Sequence, residues 1–269
     1  MIAAPRPLAE SGWLCACALA LLAPHAARGQ TEPGPIGGSL AVTSDYIYRG
    51  VSQSDGHGAL QADLHANNSA GTFAGVWAST RDSDLEPGTD AETQVYLGQR
   101  FSFGGAWSAT VSGRADYFVG GAAHHSDDYQ EISAALTWLD RYTLSITAIP
   151  NAVRYSSVVY QYEGYQHQYY EVHRCRALVA DAAGQWLLRE GLLGGGGLYL
   201  TAAAGYYYAG RSDHHPPPAV DYVYGNAGLA LEWRRWRIDV GYFTAQRQAG
   251  ELFPYPIANR LAGTVSWQF

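Results

Sequence analysis

The chain has 269 residues, room for one large all-β domain or two small ones, and is 47% hydrophobic with a mean hydropathy of −0.18. Beyond the N-terminus no run of about 18 apolar residues occurs, which excludes helical membrane spans. The formal charge is −7 and every basic residue is arginine, an acidic balance that argues against nucleic acid as a partner.

Residues 1–29 read as a cleavable secretory signal. An apolar core runs over 13–24, and Ala27-Arg28-Gly29 carries small residues where a signal peptidase reads. Its removal takes Arg6, Glu10 and Arg28, leaving 15 basic and 23 acidic side chains and a formal charge of −8. Cys15 and Cys17 leave with it, so the remaining Cys175 has no partner for an intramolecular disulfide. Residues 30–269 are expected to form a single domain.

From residue 39 onward, segments alternating between apolar and polar side chains recur near the ~9–11 residues that a tilted barrel strand needs. The first is 39–50, with Leu40, Val42, Tyr46 and Tyr48 on one face. Segments 60–66, 72–80 and 93–101 follow. In 107–117, Trp107, Ala109, Val111 and Tyr117 oppose Ser108, Thr110, Arg114 and Asp116. Segments 132–138, 142–149, 168–178 (the least regular), 198–208, 226–233 and 236–243 come next. The chain ends on 261–269, where Leu261, Gly263, Val265, Trp267 and Phe269 share a face. A barrel-closing strand with a terminal Phe offered to the barrel-assembly machinery has this form. Twelve strands is an even number, as a closed bacterial barrel requires.

Links 67–71, 102–106, 140–141 and 234–235 are short, whereas 81–92, 120–129, 150–167, 210–221 and 245–260 are longer. That rhythm predicts a closed antiparallel transmembrane β-barrel with short periplasmic turns and longer extracellular loops. The link 179–195 breaks it. Its residues 185–193 read either as a small amphipathic helix at the periplasmic rim or as the continuation of a misregistered strand.

The stretch Tyr46-Ile47-Tyr48-Arg49-Gly50-Val51-Ser52-Gln53 resembles the opening of the TorF-type porins, a proteobacterial family catalogued as of unknown function (Gcw_chp). Ala74-Gly75-Val76-Trp77 and Val265-Ser266-Trp267-Gln268-Phe269 are similar to that family too. The resemblance thins over 150–195, and 179–195 is longer than the family leads one to expect. It implies an outer-membrane barrel and a pore, and no known substrate.

With the lipid face set by the apolar phase, Asp63, His65, Arg114, Asp116, Glu131, Glu232, Arg237 and Asp239 are expected to point into the lumen. They are read either as a lining that sets ion preference or as ion pairs that fill and stiffen the barrel. His124-His125 and His214-His215, with nearby Asp127, Asp128 and Asp213, lack a third ligand at a defined spacing, so no metal site is expected. Asp82, Asp84, Glu86, Asp90 and Glu92 make an acidic external loop without the calcium-loop pattern. His65 and His173 are possible bases for lipid chemistry. No Gly-x-Ser-x-Gly motif accompanies them, so neither an enzyme nor a cofactor is expected.

The expectation is an outer-membrane porin that passes small solutes or ions through a narrow charged lumen. Its surroundings would be outer-membrane lipid and lipopolysaccharide. The alternative is a plugged barrel acting as a surface-binding protein or a lipid-modifying enzyme.

Overall fold

The computed structural model describes residues 35–81, 89–120, 128–162, 165–211, 218–253 and 255–269. The expected signal segment lies outside these residues, as do His124, His125, Asp127, Asp213, His214, His215 and the loop residues Asp82, Asp84 and Glu86.

Strict alternation along each strand produces the architecture. In the segment Tyr129–Trp138, Glu131, Ser133, Ala135 and Thr137 are buried, while Ile132, Leu136 and Trp138 between them are exposed. A sheet whose outward face is apolar and whose backbone must pair fully in lipid has to close on itself. It does. The strands run β1 (Ile36–Thr43), the short pair β2 (Ile47–Tyr48) and β3 (Val51–Ser52), β4 (Ala59–Asn67), β5 (Thr72–Thr80), β6 (Thr89–Phe103), β7 (Trp107–Gly120), β8 (Tyr129–Trp138), β9 (Tyr142–Tyr162), β10 (Tyr165–Leu192), β11 (Gly196–Ala209), β12 (Val220–Trp233), β13 (Trp236–Ala245) and β14 (Asn259–Gln268). Apart from β2 and β3, all of them form one closed antiparallel barrel of twelve strands. β1 meets β14 with Leu40 opposite Trp267 and Val42 opposite Val265. Gly38 and Phe269 exchange backbone N–H···O bonds of 3.1 and 3.0 Å at that seam.

Outside, Leu40, Leu60, Val76, Leu97, Leu144 and Val240 make an apolar belt. At the short-turn rim the belt ends in aromatic rings in contact. Trp107 lies 6.1 Å from Trp138, Trp138 5.4 Å from Tyr142, and Tyr142 5.8 Å from Trp186. Amphipathic rings at that level suit a membrane–water interface. Among the described residues no helix is long and apolar enough to cross a membrane.

Two sequence expectations change, and one open choice is settled. The strand expected over 39–50 stops at Thr43, and Tyr46 and Tyr48 turn into the barrel instead of joining Leu40 and Val42 on the lipid face. The Tyr46 and Tyr48 hydroxyls meet carboxylates there, partners that hydrocarbon cannot supply. The link expected over 150–167 is largely strand. β9 and β10 continue past the barrel as a long hairpin, and Pro150 sits where the pairing slips between Cys175 and Ala177. A bulge is one of the few places where a sheet tolerates proline. The hairpin beyond it places Arg174 and Arg176 at the long-loop end. Finally, of the two readings of 185–193, the continued strand is the one observed and the helix is not. β10 carries on to Leu192 through register shifts near Leu187 and Glu190, and these shifts scramble the apolar phase. With that strand in place, the short-turn rhythm has no exception.

Close strand approach is visible at Gly228 on β12, where a Cβ would lie 2.3 Å from the Val240 carbonyl oxygen and 2.6 Å from the Gly241 Cα. Gly228→Ala should therefore lower barrel stability by about 1–3 kcal/mol, read as a lower urea midpoint on heat-modifiable gel migration. An unchanged midpoint would show that β12 and β13 can part at no cost.

Candidate functional site: a hairpin inside the lumen

Residues 44–58 join β1 to β4 at the long-loop end and fold into the barrel. β2 and β3 pair as a tight hairpin, Ile47 opposite Ser52 and Tyr48 opposite Val51. Its two-residue turn is Arg49-Gly50, with φ of 48° and 79°. Positive φ at both positions is the primed turn that matches strand twist, and it favours glycine at the second position. Asp45 holds the hairpin's base, accepting 2.6 Å from the Ser52 hydroxyl, while the Tyr46 N–H donates to Ser54 Oγ at 2.8 Å.

The hairpin tip rests on the β12–β13 wall. The Tyr222 hydroxyl donates to the Arg49 carbonyl at 3.2 Å, and the Ala258 N–H donates to the Gly50 carbonyl at 2.8 Å. The link between β13 and β14 thus braces it, and Ser52 N–H also donates to the Pro256 carbonyl at 2.9 Å. Behind the tip lies an apolar cluster that includes Val51, Tyr207, Tyr222, Leu252 and Tyr255.

From that wall the side chains span the lumen to β6, β7 and β8. Arg49 grips Glu131 with both branches, Nη1 to Oε1 at 2.7 Å and Nη2 to Oε2 at 3.0 Å. Arg114 adds Nη2 to Glu131 Oε1 at 2.9 Å and Nε to Asp116 Oδ2 at 3.1 Å. The Tyr48 hydroxyl sits between them, accepting from Arg114 and donating to Glu131. Tyr46 donates to Glu92 at 3.2 Å, and Gln94 donates to the other oxygen of Glu92 at 2.8 Å. Burial, reinforced by the Glu92 charge, holds the Tyr46 phenol well above its ordinary pKa, so it stays a donor. Burial alone would weaken Arg49's hold on its proton, but the Glu131 carboxylate outweighs that and raises its pKa.

Every residue expected in the lumen can now be placed. Arg114, Asp116 and Glu131 form the network under the hairpin, and the Asp116 side chain is fully buried. Glu232, Arg237 and Asp239 form a separate cluster near the β12–β13 turn, where Arg237 binds Glu232 through Nη1 and Asp239 through Nη2 at 2.8 Å. Asp63 and His65 pair at 2.6 Å, and the Tyr96 hydroxyl donates to Asp63 at 2.6 Å. The eight residues thus fall into three groups, not one ring. Glu92, expected in an external acidic loop, is a buried acceptor on β6. His173 lies 2.6 Å from Ser156 Oγ, but Glu171 approaches the same ring nitrogen, at 3.7 Å, so the order of a catalytic triad is not formed.

Sequence reasoning missed Tyr46, Tyr48 and Arg49 as interior groups. The signal that could have found them is a pair of turn dipeptides, Arg49-Gly50 and Asp55-Gly56, too close together for a spanning strand.

The profile of a family described as "Bacterial protein of unknown function (Gcw_chp)" matches residues 27–171, more than half of the chain. The chain belongs to this family. The Gcw_chp match contains the whole inserted hairpin and its partners on β6, β7 and β8. Among curated proteins no sequence matches. Among solved structures, one described under "Unveiling the Mechanism Behind the in-meso Crystallization of Membrane Proteins" is similar at a TM-score of 0.50 and 12% identity, covering 87% of this chain and 83% of that one. A structure named "KdgM porin" gives 0.44 at 9% identity, over 87% and 97% of the two chains. One named "NanC porin structure in rhombohedral crystal form" gives 0.46 at 9%, over 87% and 98%. At these identities the likeness concerns the fold.

Proposed function

We propose that this Gcw_chp protein is a passive outer-membrane channel for small solutes or ions, narrowed by the 44–58 hairpin. One observation carries the reading. The interior holds buried polar groups that the described protein atoms do not satisfy: the whole Gln185 side-chain amide, Gln94 Oε1 and Asp116 Oδ1. Such groups are normally met by water, which fits a hydrated path between the strands. Around them the wall is rich in buried hydroxyls, among them Ser133 against Thr147 at 2.9 Å and Thr137 against Thr143 at 3.1 Å. Charges of both signs face inward, so ion preference would be weak. What narrows the path is a loop rather than the wall, and a loop can move.

Outer-membrane residence follows from an apolar belt, an aromatic rim and long loops at one end only. The lumen charges would act through the constriction, Arg114 and Glu131 at its centre and Arg237 with Asp239 near the periplasmic exit. The near-complete burial of the inward side chains favours a second reading, a filled barrel used as a surface-binding protein.

Single-channel recording from the refolded mature chain separates the two. Small steps in wild type, with larger ones when the hairpin is loosened, are the expected result. Silence from both proteins, each shown to be folded, would leave the filled barrel.

A further inference from the structure

On the lipid-facing wall a groove of about 640 Å³ crosses the seam where β1 meets β14. Its course follows from the register. Trp236 lies opposite Trp267, Trp267 opposite Leu40, Leu40 opposite Ala62, and Ala62 opposite Ala78. These five share the outward face, and the next outward row, from Val265 to Ala91, forms the other side. Depth comes from size, because Ala62 and Ala78 stand among the larger Leu40, Leu60 and Trp267. Four steps of ~4.8 Å give the trough a length of about 19 Å. It climbs along its course. Trp236 opens β13 at the short-turn rim, Leu40 is the fifth residue of β1, and Ala78 is the seventh of β5. A trough that starts at the rim and rises within the apolar belt has the reach of one acyl chain, since a leaflet takes about half of the ~30 Å hydrocarbon core.

The foot of the groove is charged. The turn between β12 and β13 is Arg234-Arg235, and the Gln268 N–H donates to the Arg235 carbonyl at 2.9 Å, which sets the turn beside Trp267. Both arginines are exposed, and the Arg234 guanidinium lies over the Trp233 ring at 4.9 Å. The carboxylate nearest along the strand, Glu232, turns into the lumen and is held there by Arg237. No other short turn carries two like charges. Residues 68–71, 104–105 and 193–195 are uncharged, and in 140–141 Asp140, paired with Arg100, stands beside Arg141.

We propose that the groove seats one anionic phospholipid of the periplasmic leaflet, with its phosphate at Arg234-Arg235 and one acyl chain along Trp267, Leu40, Ala62 and Ala78. Adjacent arginines at a membrane surface attract an anionic headgroup, and the apolar trough begins where such a headgroup would sit. Lipopolysaccharide would enter from the long-loop end, where the groove has no foot. A second copy is disfavoured by charge. Two barrels in one membrane are related by an axis along its normal, so a symmetric contact through the groove would bring both arginine pairs together at one rim. The inference goes beyond the channel reading and rests on outer-membrane residence, not on conduction.

Native mass spectrometry of the refolded mature barrel, released from detergent micelles, tests it with three lipids. They are long-chain phosphatidylglycerol, phosphatidylcholine with the same chains, and short-chain phosphatidylglycerol. One long-chain phosphatidylglycerol should stay on each barrel, and the other two should be retained at least about tenfold less, one lacking net charge and the other lacking the chain. Arg234→Gln with Arg235→Gln should lower phosphatidylglycerol to the phosphatidylcholine level, whereas Arg174→Gln with Arg176→Gln, at the opposite end, should change nothing. Ala78→Phe, which fills the groove, should lower retention of both long-chain lipids, with folding checked by heat-modifiable migration. If that variant does not fold, the comparison of long and short chains on wild type decides the part of the groove. Equal retention of the two long-chain lipids, or retention indifferent to the loss of Arg234 and Arg235, overturns the proposal. Lipid-free dimers would overturn it in favour of a second copy. Barrels that conduct but keep no lipid would discard the seat and leave the channel, and silent barrels that keep it would do the reverse.

Discussion

Glu131→Gln should release the hairpin from the lumen while leaving the barrel closed. Glu131 is 2% exposed and gathers both branches of Arg49, one branch of Arg114 and the Tyr48 hydroxyl. Replacing its carboxylate by an amide of the same shape leaves Arg49 buried without a counter-charge and Arg114 with Asp116 alone. Breaking one partner of a buried ion pair costs about 3–5 kcal/mol, more than a short docked loop is expected to hold in reserve. The cheapest relief is for residues 44–58 to leave. The strand ladders do not use the Glu131 side chain and should survive.

Two measurements check this. Single-channel conductance should rise well above wild type. Trypsin, added to folded barrels, should cut after Arg49, a bond that the docked hairpin buries. Arg49→Ala combined with Glu131→Gln should loosen the hairpin by less than the sum of the single changes, since the two residues share one interaction. Wild-type conductance together with trypsin resistance in Glu131→Gln would mean that the network does not hold the loop.

Gly50→Ala should undock the same hairpin by a route that involves no charge. Gly50 has φ of +79°, and a Cβ there would stand 2.5 Å from the Ala245 Cβ and 2.8 Å from the Tyr224 Cβ. Left-handed backbone costs an alanine about 1–2 kcal/mol. Forcing a methyl between two occupied positions adds about 1–3 kcal/mol. Gly104 supplies the control, because its φ is +60° and nothing lies within 4 Å of its would-be Cβ. Gly104→Ala carries the conformational cost alone, in a turn at the opposite rim. Gly50→Ala should therefore expose Arg49 to trypsin and raise conductance, and Gly104→Ala should do neither. Identical behaviour of the two variants would show that the tip is not packed against β12 and β13.

Much of the barrel was legible in the residues themselves. The alternation in 72–80 ends where β5 ends, and the phase that set Arg114 and Asp116 against Val111 and Tyr117 is the phase observed. Where reading failed, the cause was local. Tyr46 and Tyr48 continued the alternation of Leu40 and Val42 across a hidden turn. The register shifts in β10 left 185–193 open to two readings, helix or strand, of which the strand holds. Pro150 looked like the end of a strand and marks a bulge within one.

Taken alone, the sequence determined the closed barrel, its strand number, and the two-residue alternation of the spanning strands. All of these follow from a period of two and from turn lengths, quantities confined to neighbours along the chain. The tertiary structure alone decided that the most recognisable stretch of the chain, around Tyr48-Arg49-Gly50, is not wall but a constriction in the lumen. Alternation records that a tyrosine faces something other than water on one side, and it does not say whether that something is lipid or protein. The deciding partner of Arg49 is Glu131, 82 residues away, and only the closed barrel brings the two charges together.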